Sequence, residues 1–133
     1  MKIHESAENY LETILVLQNR NGRVRSIDIV NELEFTKPSV SVAMKNLRQS
    51  GLIEVDAGGY ITLLDEGRAI AERIHERHTL LTEWLIGLGV DSDIADKDAC
   101  KLEHVLSAES FNAIKDEYLR KRSRSASLPS HLL

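Results

Sequence analysis

The stretch "TKPSVSVAMKNLRQSGLIEVDAGGYITLL", residues 36–64, changes its apolar period from that of a helix to that of strands. In its first half, apolar side chains recur every three or four residues. Pro38 stands in the first turn, where its missing N–H costs nothing, Thr36 is a suitable N-cap, and Gly51 can end the helix. After Gly51, β-forming residues flank "DAGG", residues 56–59, whose glycines can supply the positive φ of a turn. The stretch therefore predicts a helix followed by a β-hairpin.

Two more helices are predicted before this stretch. "SAENYLETILVLQNRNG", residues 6–22, has a helical apolar stripe with Ser6 as its N-cap, and "SIDIVNELEF", residues 26–35, begins at the potential cap Ser26. The link "EFTKP", residues 34–38, has the length of a helix-turn-helix turn. Three helices followed by a hairpin is the order of a winged helix-turn-helix.

The rest of the chain reads as helical. Long amphipathic patterns cover residues 65–90, 91–107 and 108–122, and residues 123–133 have the composition of a flexible tail. We therefore predict a mostly α protein, with an N-terminal winged helix-turn-helix domain in residues 1–64. An α-helical domain in residues 65–122 and the tail follow it.

Composition limits the cellular setting. The chain has 133 residues, a net charge of −4 and one cysteine. No run approaches the roughly 20 apolar residues that a membrane span needs. The N-terminal "MKIHESAENY" lacks the apolar region of a secretory signal. We expect a soluble protein of the reducing cytoplasm with a free thiol and no membrane partner.

One helix is basic although the chain is acidic. Between Thr36 and Gly51 there are Lys37, Lys45 and Arg48 but no acidic residue, and small hydroxyl side chains stand near the helix N-terminus. Such an end can approach DNA phosphates and enter the major groove. The alternative is an ordinary solvated face. The predicted DNA-contacting residues are Arg25, Thr36, Lys37, Pro38, Ser39, Ser41, Lys45 and Arg48.

The single cysteine lies in a pattern that suits a metal ion. Glu103 and His104 follow Cys100 by three and four residues, so the three side chains share one face of a helix. A thiolate, a carboxylate and an imidazole together suit a first-row transition metal better than Mg²⁺ or Ca²⁺. The alternative is a small buried thiol beside a solvated Glu-His pair.

Catalytic motifs are missing from the sequence. In "HERH", residues 75–78, the histidines are three apart, whereas the zinc-protease motif needs them four apart with glutamate directly after the first. No Gly-rich phosphate loop or Gly-x-Ser-x-Gly elbow is present. A metal-dependent hydrolase would also need a positioned base that we cannot identify. We expect a protein that is not an enzyme.

Four segments in order resemble one known family. They are "AENYLETILVL" (7–17), "KPSVSVAMKNLRQSGLIEV" (37–55), "GRAIAERIHERHTLLTEWLIGLGV" (67–90) and "DACKLEHVLS" (98–107). In order and spacing they are similar to the diphtheria-toxin-repressor family of metal-dependent transcriptional repressors, which includes the manganese transport regulators. The chain resembles a short form without the SH3-like domain of longer members. The resemblance implies that the winged domain binds DNA and that the later helices form a homodimer.

The resemblance also implies a ligand set. The matching positions are Asn9, Glu12, His78, Cys100, Glu103 and His104. Asn9 differs from the aspartate of manganese-type members and from the methionine of iron-type members, whereas Cys100 is iron-type. Thr82 occupies a position where members often have a carboxylate for a second, ancillary ion. Asp96, one turn before Cys100, can help to bind such an ion.

These features predict a metal-dependent DNA-binding transcriptional regulator, a repressor by the family's commoner sign. The ion would act as corepressor for metal-homeostasis genes, and a homodimer would bind a palindromic operator in double-stranded DNA. The thiolate makes Fe(II) our first choice and Mn(II) the runner-up, while Zn(II), Co(II) or Ni(II) can bind in vitro. The alternative function is a winged-helix regulator that senses a small organic ligand and no metal.

Overall fold

The computed structural model describes residues 5–127, with side chains as far as residue 124. Its elements are α1 (Glu5–Asn21), α2 (Ser26–Leu33), α3 (Lys37–Gln49), β1 (Ile53–Val55), β2 (Ile61–Leu63), α4 (Asp65–Gly87), α5 (Ser92–Val105) and α6 (Ala108–Ser127). Contacts group the chain into two compact units, one ending at Glu76 and one beginning at Arg77. Helix α4 thus contributes to both units. The boundary that we predicted between residues 64 and 65 lies twelve residues earlier than this division.

The first unit is a winged helix-turn-helix, as the sequence predicted. Helices α1, α2 and α3 surround a core that also receives the hairpin and the first part of α4. From α3, the side chains of Val40, Met44 and Leu47 are buried, as their helical spacing requires. Leu11 and Ile14 of α1 are fully buried in the same core. The opposite face of α3 is left exposed.

The wing is a short antiparallel hairpin. Ile53 pairs with Leu63 and Val55 with Ile61. In the turn, Asp56 Oδ1 accepts hydrogen bonds from the backbone amides of Gly58 and Tyr60, each at 2.9 Å. We expected both glycines to supply a positive φ, but only Gly59 does so, at 84°. The Asp56 side chain holds the rest of the turn without that conformation.

Helix ends agree with the sequence at some positions and differ at others. Thr36 caps α3, and its side chain accepts from the Ser39 amide at 3.3 Å. The N-cap of α2 is Arg25 and not Ser26, because the Asp28 carboxylate accepts the Arg25 backbone N–H at 2.9 Å. Ser6 was also predicted as a cap, but α1 already includes Glu5, so that Ser6 lies inside the helix.

The second unit is entirely helical in its described part. Its core contains Leu80 and Leu81 of α4, Ala99 of α5 and Phe111 of α6. The Asp91 side chain caps α5 by accepting from the Asp93 amide at 3.2 Å. The small side chain of Ala99 is fully buried, which allows its neighbours to pack closely on α5.

The last helix is longer than predicted. Helix α6 continues to Ser127, so residues 123–127 are helical, whereas we expected the flexible tail to begin at residue 123. The remainder of that predicted tail, residues 128–133, lies outside the described residues. Across residues 5–127, no helix has an apolar stretch long enough to cross a membrane.

Candidate functional site

A buried carboxylate lies at the centre of a polar cluster in the second unit. Glu103 of α5 is 0% exposed, and its Oε2 lies 2.8 Å from Nδ1 of His78 on α4. The other ring nitrogen of His78 lies 2.8 Å from Oδ1 of Asp96, which is also on α5. We call His78, Asp96, Glu103 and His104 the His78 cluster. It joins two predicted ligands, His78 and Glu103, through a direct contact between α4 and α5.

The second carboxylate oxygen of Glu103 differs from the first in its contacts. Glu103 Oε1 is buried without a hydrogen-bond partner among the described residues. The nearby Nε2 of His104 is 3.3 Å away, and the His104 side chain is only 3% exposed. A buried carboxylate oxygen in this condition is costly, on the order of 1–3 kcal/mol or more. A bound cation would remove that cost.

The donors of the cluster fit a first-row divalent metal. Imidazole nitrogen and carboxylate oxygen are the ligands that Mn(II), Fe(II) and Zn(II) share. His78 already has a carboxylate on its second nitrogen, the arrangement that commonly orients a metal-binding histidine. The residues present therefore fit the ion that the sequence predicted.

Cys100 lies on the same helix as Glu103 and His104. It belongs to α5, is exposed and forms no disulfide. The spacing of three and four residues is helical, so the thiol is on the face that also carries Glu103 and His104. Its role as a ligand stays a prediction.

The two predicted ligands of α1 belong to the first unit. Glu12 is buried, and its Oε2 lies 3.5 Å from Nδ1 of His75 on α4. Asn9 is half-buried, and its backbone carbonyl accepts the Thr13 hydroxyl at 2.8 Å. His75 was not predicted to take part. The available signal was the first histidine of "HERH", one turn before His78.

Two residues near His78 on α4 have other contacts. The Thr82 hydroxyl donates to the His78 backbone carbonyl at 2.7 Å. Glu83 accepts the Tyr118 hydroxyl at 2.9 Å. The pKa of Tyr118 is raised above its ordinary value, mainly because the group is partly desolvated and to a smaller extent because of this hydrogen bond. Both side chains thus make contacts within the protein.

The predicted DNA-contacting residues of α3 form one exposed surface. Its N-terminal part presents small and polar side chains, and Lys45 and Arg48 follow on later turns. The Thr36 hydroxyl donates to Ser39 Oγ at 2.8 Å, which holds these two hydroxyls together at the helix start. The exposed members are Thr36, Lys37, Pro38, Ser39, Ser41, Lys45 and Arg48.

Salt bridges divide the cations of the first unit into two groups. Arg20 pairs with Glu32 at 3.1 Å, Arg68 with Glu72 at 3.7 Å and Arg73 with Glu8 at 3.0 Å. The other arginines and lysines of residues 5–76 have no carboxylate partner among the described residues. They are Arg23, Arg25, Lys37, Lys45 and Arg48. All the unpaired cations thus lie between residues 23 and 48.

Two of these cations lie beside one tyrosine of the wing hairpin. The guanidinium carbons of Arg23 and Arg25 lie 5.0 and 5.1 Å from the centre of the Tyr60 ring. Arg25 also donates to the Gly58 carbonyl at 2.6 Å. Arg25 was predicted as a DNA contact, whereas Arg23, which lies on the same ring, was not singled out. Its only sequence signal was a second basic residue two positions before Arg25.

The first unit is a winged helix-turn-helix with unpaired cations, and the second is helical with a histidine–carboxylate cluster. This combination is that of a DNA-binding regulator with a separate ligand-binding domain. The comparisons agree in both parts. Residues 2–59 match the family described as the iron dependent repressor, N-terminal DNA binding domain. Residues 64–124 match the iron dependent repressor, metal binding and dimerisation domain.

Individual relatives support the same assignment. The transcriptional regulator MntR of Escherichia coli is 33% identical over 111 residues, covering 84% of this chain and 72% of that protein. The HTH-type transcriptional regulator MntR of Lysinibacillus sphaericus is 31% identical, covering 84% of this chain and 80% of that protein. The chain belongs to the iron-dependent repressor family.

Solved structures extend the likeness to the fold. A manganese-dependent transcriptional repressor in complex with manganese superposes with a TM-score of 0.77 at 27% identity, covering 84% of this chain. The manganese regulator SloR gives a TM-score of 0.75 at 25% identity, covering 90% of this chain. This chain spans about half the length of these two structures, 52% and 55%.

Proposed function

We propose that this chain is a metal-dependent DNA-binding transcriptional regulator, acting as a repressor of metal-homeostasis genes. The observation that carries the proposal is the buried carboxylate of Glu103. One of its oxygens contacts His78, and the other, Oε1, lies beside His104 without a hydrogen-bond partner among the described residues. A regulator that senses an organic ligand has no need for a buried carboxylate whose second oxygen lacks a hydrogen bond. A metal site does.

The proposed ligands are those that the family resemblance implied: Asn9, Glu12, His78, Cys100, Glu103 and His104. Support within the second unit is the contact of His78 with Glu103. Support within the first unit is the contact of Glu12 with His75, because His75 precedes His78 by one turn of α4. We propose Asp96 as the residue that orients His78.

The ion, when bound, would balance the negative charge of Glu12 and Glu103, which lie in different units of the chain. The positions of the ligands in the chain then determine how DNA binding responds to the ion. Ligands from both units would favour one arrangement of the DNA-binding unit over its alternatives, and a ligand that binds one arrangement better shifts the population towards it. This is how we propose that the ion acts as corepressor.

The metal is proposed to be Fe(II) or Mn(II). Cys100 supplies a soft ligand and favours Fe(II), which remains our first choice. The two carboxylates and the amide of Asn9 are hard ligands and favour Mn(II), and the solved relatives named above are manganese regulators. Zn(II), Co(II) and Ni(II) are expected to bind in vitro.

The DNA-binding part of the proposal rests on the unpaired cations. We propose that Lys45 and Arg48 contact phosphates, as do Arg23 and Arg25, which lie against Tyr60 of the wing. Thr36, Pro38 and Ser39 would meet base edges. We propose that a homodimer binds a palindromic operator, with half-sites about one helical turn apart. The match to a dimerisation domain over residues 64–124 supports the homodimer.

The experiment combines metal binding with DNA binding. Anaerobic equilibrium dialysis of the purified protein with Fe(II), Mn(II) and Zn(II) measures affinity and stoichiometry. A binding-site selection from random duplexes, with each metal and with chelator, then measures DNA affinity. We expect tight metal binding and enrichment of a palindrome only when metal is present. Equal DNA binding in chelator would refute the metal-dependent function.

The alternative function has one observation in its favour. The second unit has an open groove of about 500 Å³, lined in part by Trp84 and Tyr118 with Glu83 and Lys121. That volume can accommodate a small organic ligand. The alternative predicts sequence-specific DNA binding that chelator does not change and that Trp84→Ala alters, so the same assay separates the two functions.

A further inference from the structure

Arg77 makes contacts that neither the family resemblance nor the ligand set assigns. Its Nη1 donates to the Glu103 carbonyl at 3.1 Å and to the Leu106 carbonyl at 2.8 Å. Helix α5 ends at Val105, so these carbonyls belong to its last turn and C-cap, where intrahelical N–H partners run out. A cation at this end also offsets the partial negative charge of the helix terminus.

The same guanidinium lies against an aromatic ring. Its central carbon is 5.1 Å from the centre of the Phe111 ring, and Phe111 is buried in the core of the second unit. Arg77 therefore connects α4, the end of α5 and α6 through one side chain. A planar guanidinium can lie on a ring while a single nitrogen donates two hydrogen bonds, whereas a lysine ammonium has no planar face.

We propose that Arg77 is a positioning residue for the metal centre, an inference that rests on the proposed function. Arg77 adjoins His78 in sequence, and it holds the backbone of Glu103, whose carboxylate contacts His78. One residue thus fixes the backbone of one ligand while the next residue is the other ligand. The separation of the His78 and Glu103 donors is set before an ion arrives.

Arg77 ties the backbone of Glu103 on α5 to helix α4. The Thr82 hydroxyl reaches the His78 carbonyl, but both residues are in α4. Loss of Arg77 would leave α5 free to shift against α4 at the level of Glu103. The ligands would then have to be ordered during binding, which lowers affinity.

The test uses Arg77→Ala, Arg77→Lys and the control Arg68→Ala. Arg68 lies on the same helix and pairs with exposed Glu72 at 3.7 Å. Mn(II) affinity is measured by calorimetry without DNA, the d–d absorption of bound Co(II) reports coordination geometry, and circular dichroism follows the metal-free fold.

We expect Arg77→Ala to weaken Mn(II) binding about 10- to 100-fold and to change the Co(II) spectrum, as loss of an orienting contact does in other metal sites. Arg77→Lys keeps the charge and one or more hydrogen bonds, so it should fall between Arg77→Ala and wild type. Arg68→Ala should match wild type in both measurements.

Arg77→Lys keeps the proposal refutable if Arg77→Ala fails to fold. A folded Arg77→Lys with lowered thermal stability but wild-type Mn(II) affinity and Co(II) spectrum would show that Arg77 is only a helix cap, and would overturn the inference. Wild-type metal binding by Arg77→Ala would overturn it as well. If the wild-type protein bound no metal, the proposed function itself would fail, a result distinct from the other two.

Discussion

At the scale of single residues, Glu103 is the side chain with the clearest conflict between its chemistry and its surroundings. It is fully buried, and one oxygen contacts His78. The other lies near His104 but has no hydrogen-bond partner in the part of the chain that the structure describes. Proteins rarely keep a buried carboxylate without a counterion or full hydrogen bonding. The proposed metal site would explain why an acid occupies this position.

Removing a ligand should abolish the response to metal and leave the fold intact. We expect Glu103→Gln and His104→Ala each to weaken metal binding by more than about 100-fold, because loss of an orienting partner alone costs 10- to 100-fold. Metal-stimulated DNA binding should disappear. Asp98→Asn, an exposed acid on α5, is the matched control. Unchanged stimulation and metal affinity in both ligand variants would contradict the site assignment.

Cys100 should set the choice of metal. Replacing it with glutamate exchanges a soft thiolate for a hard carboxylate, so Cys100→Glu should shift preference from Fe(II) towards Mn(II) by about tenfold or more, roughly 1.4 kcal/mol. Anaerobic DNA-binding titrations with both metals measure the ratio, and Cys100→Ser controls for loss of the thiol alone. The same ratio in wild type and both variants would show that Cys100 is not a ligand.

At the scale of elements, the start of α4 packs directly on the backbone that leads into the wing. A Cβ at Gly67 would lie 2.1 Å from the Leu52 carbonyl oxygen, and that oxygen already accepts the Leu64 N–H at 3.0 Å. The helix can approach this closely only because residue 67 has no side chain.

Gly67→Ala should therefore destabilise the first unit. Overpacking of this kind costs about 1–3 kcal/mol, which thermal or urea unfolding can measure. Gly87→Ala, on the same helix, is the control because a Cβ there meets nothing within 4 Å. It should be neutral or slightly stabilising. A Gly67→Ala protein as stable as wild type would show that α4 can move away from Leu52 at little cost.

Different residues along helix α3 should determine DNA affinity and sequence preference. Lys45→Ala should weaken binding to every duplex and reduce the slope of log affinity against log salt by about one. Ser39→Ala should instead alter the preferred sequence. Lys97→Ala, an exposed lysine of α5, controls for the change in net charge. A changed sequence preference in Lys45→Ala with an unchanged salt slope would mean that the helix lies in the groove in another orientation.

At the scale of the whole molecule, an acidic chain must concentrate positive charge to bind DNA. The net charge is −4, yet every unpaired cation of residues 5–76 falls between residues 23 and 48. The paired arginines lie elsewhere. This division concentrates the unpaired positive charge in one segment of the chain, which the net charge conceals.

Metal and DNA should promote each other's binding to the same extent. By linkage, a selected operator duplex must raise metal affinity by the factor by which metal raises DNA affinity, typically about 5- to 150-fold. Calorimetry of Mn(II) binding with the operator, with a scrambled duplex and without DNA measures the first factor. Titration of DNA in metal and in chelator measures the second. If the operator left Mn(II) affinity unchanged, DNA binding and metal binding would be independent, and the corepressor mechanism would be wrong.

The sequence by itself determined the elements and their order. Helix α3, its Thr36 cap and the hairpin after Gly51 depend on periodicity and on local caps and turns, which act over a few residues. The winged order followed from those elements, and the family resemblance supplied the ligand positions as predictions. Local chemistry also explains the misses: the Asp28 carboxylate made Arg25 the N-cap of α2, and Asp56 held the wing turn with one positive φ.

Only the tertiary structure decided which side chains meet. His78 and Glu103 are 25 residues apart and lie on different helices, so no spacing rule predicts their contact. The same is true of the contact between Arg77 of α4 and the end of α5, and of the contact between Arg23 and Tyr60. Periodicity gives the face of a helix but not the neighbour that this face meets, because packing is settled by the fit of whole surfaces. For that reason, the burial of Glu103 and the division of paired and unpaired cations became visible only in the folded chain.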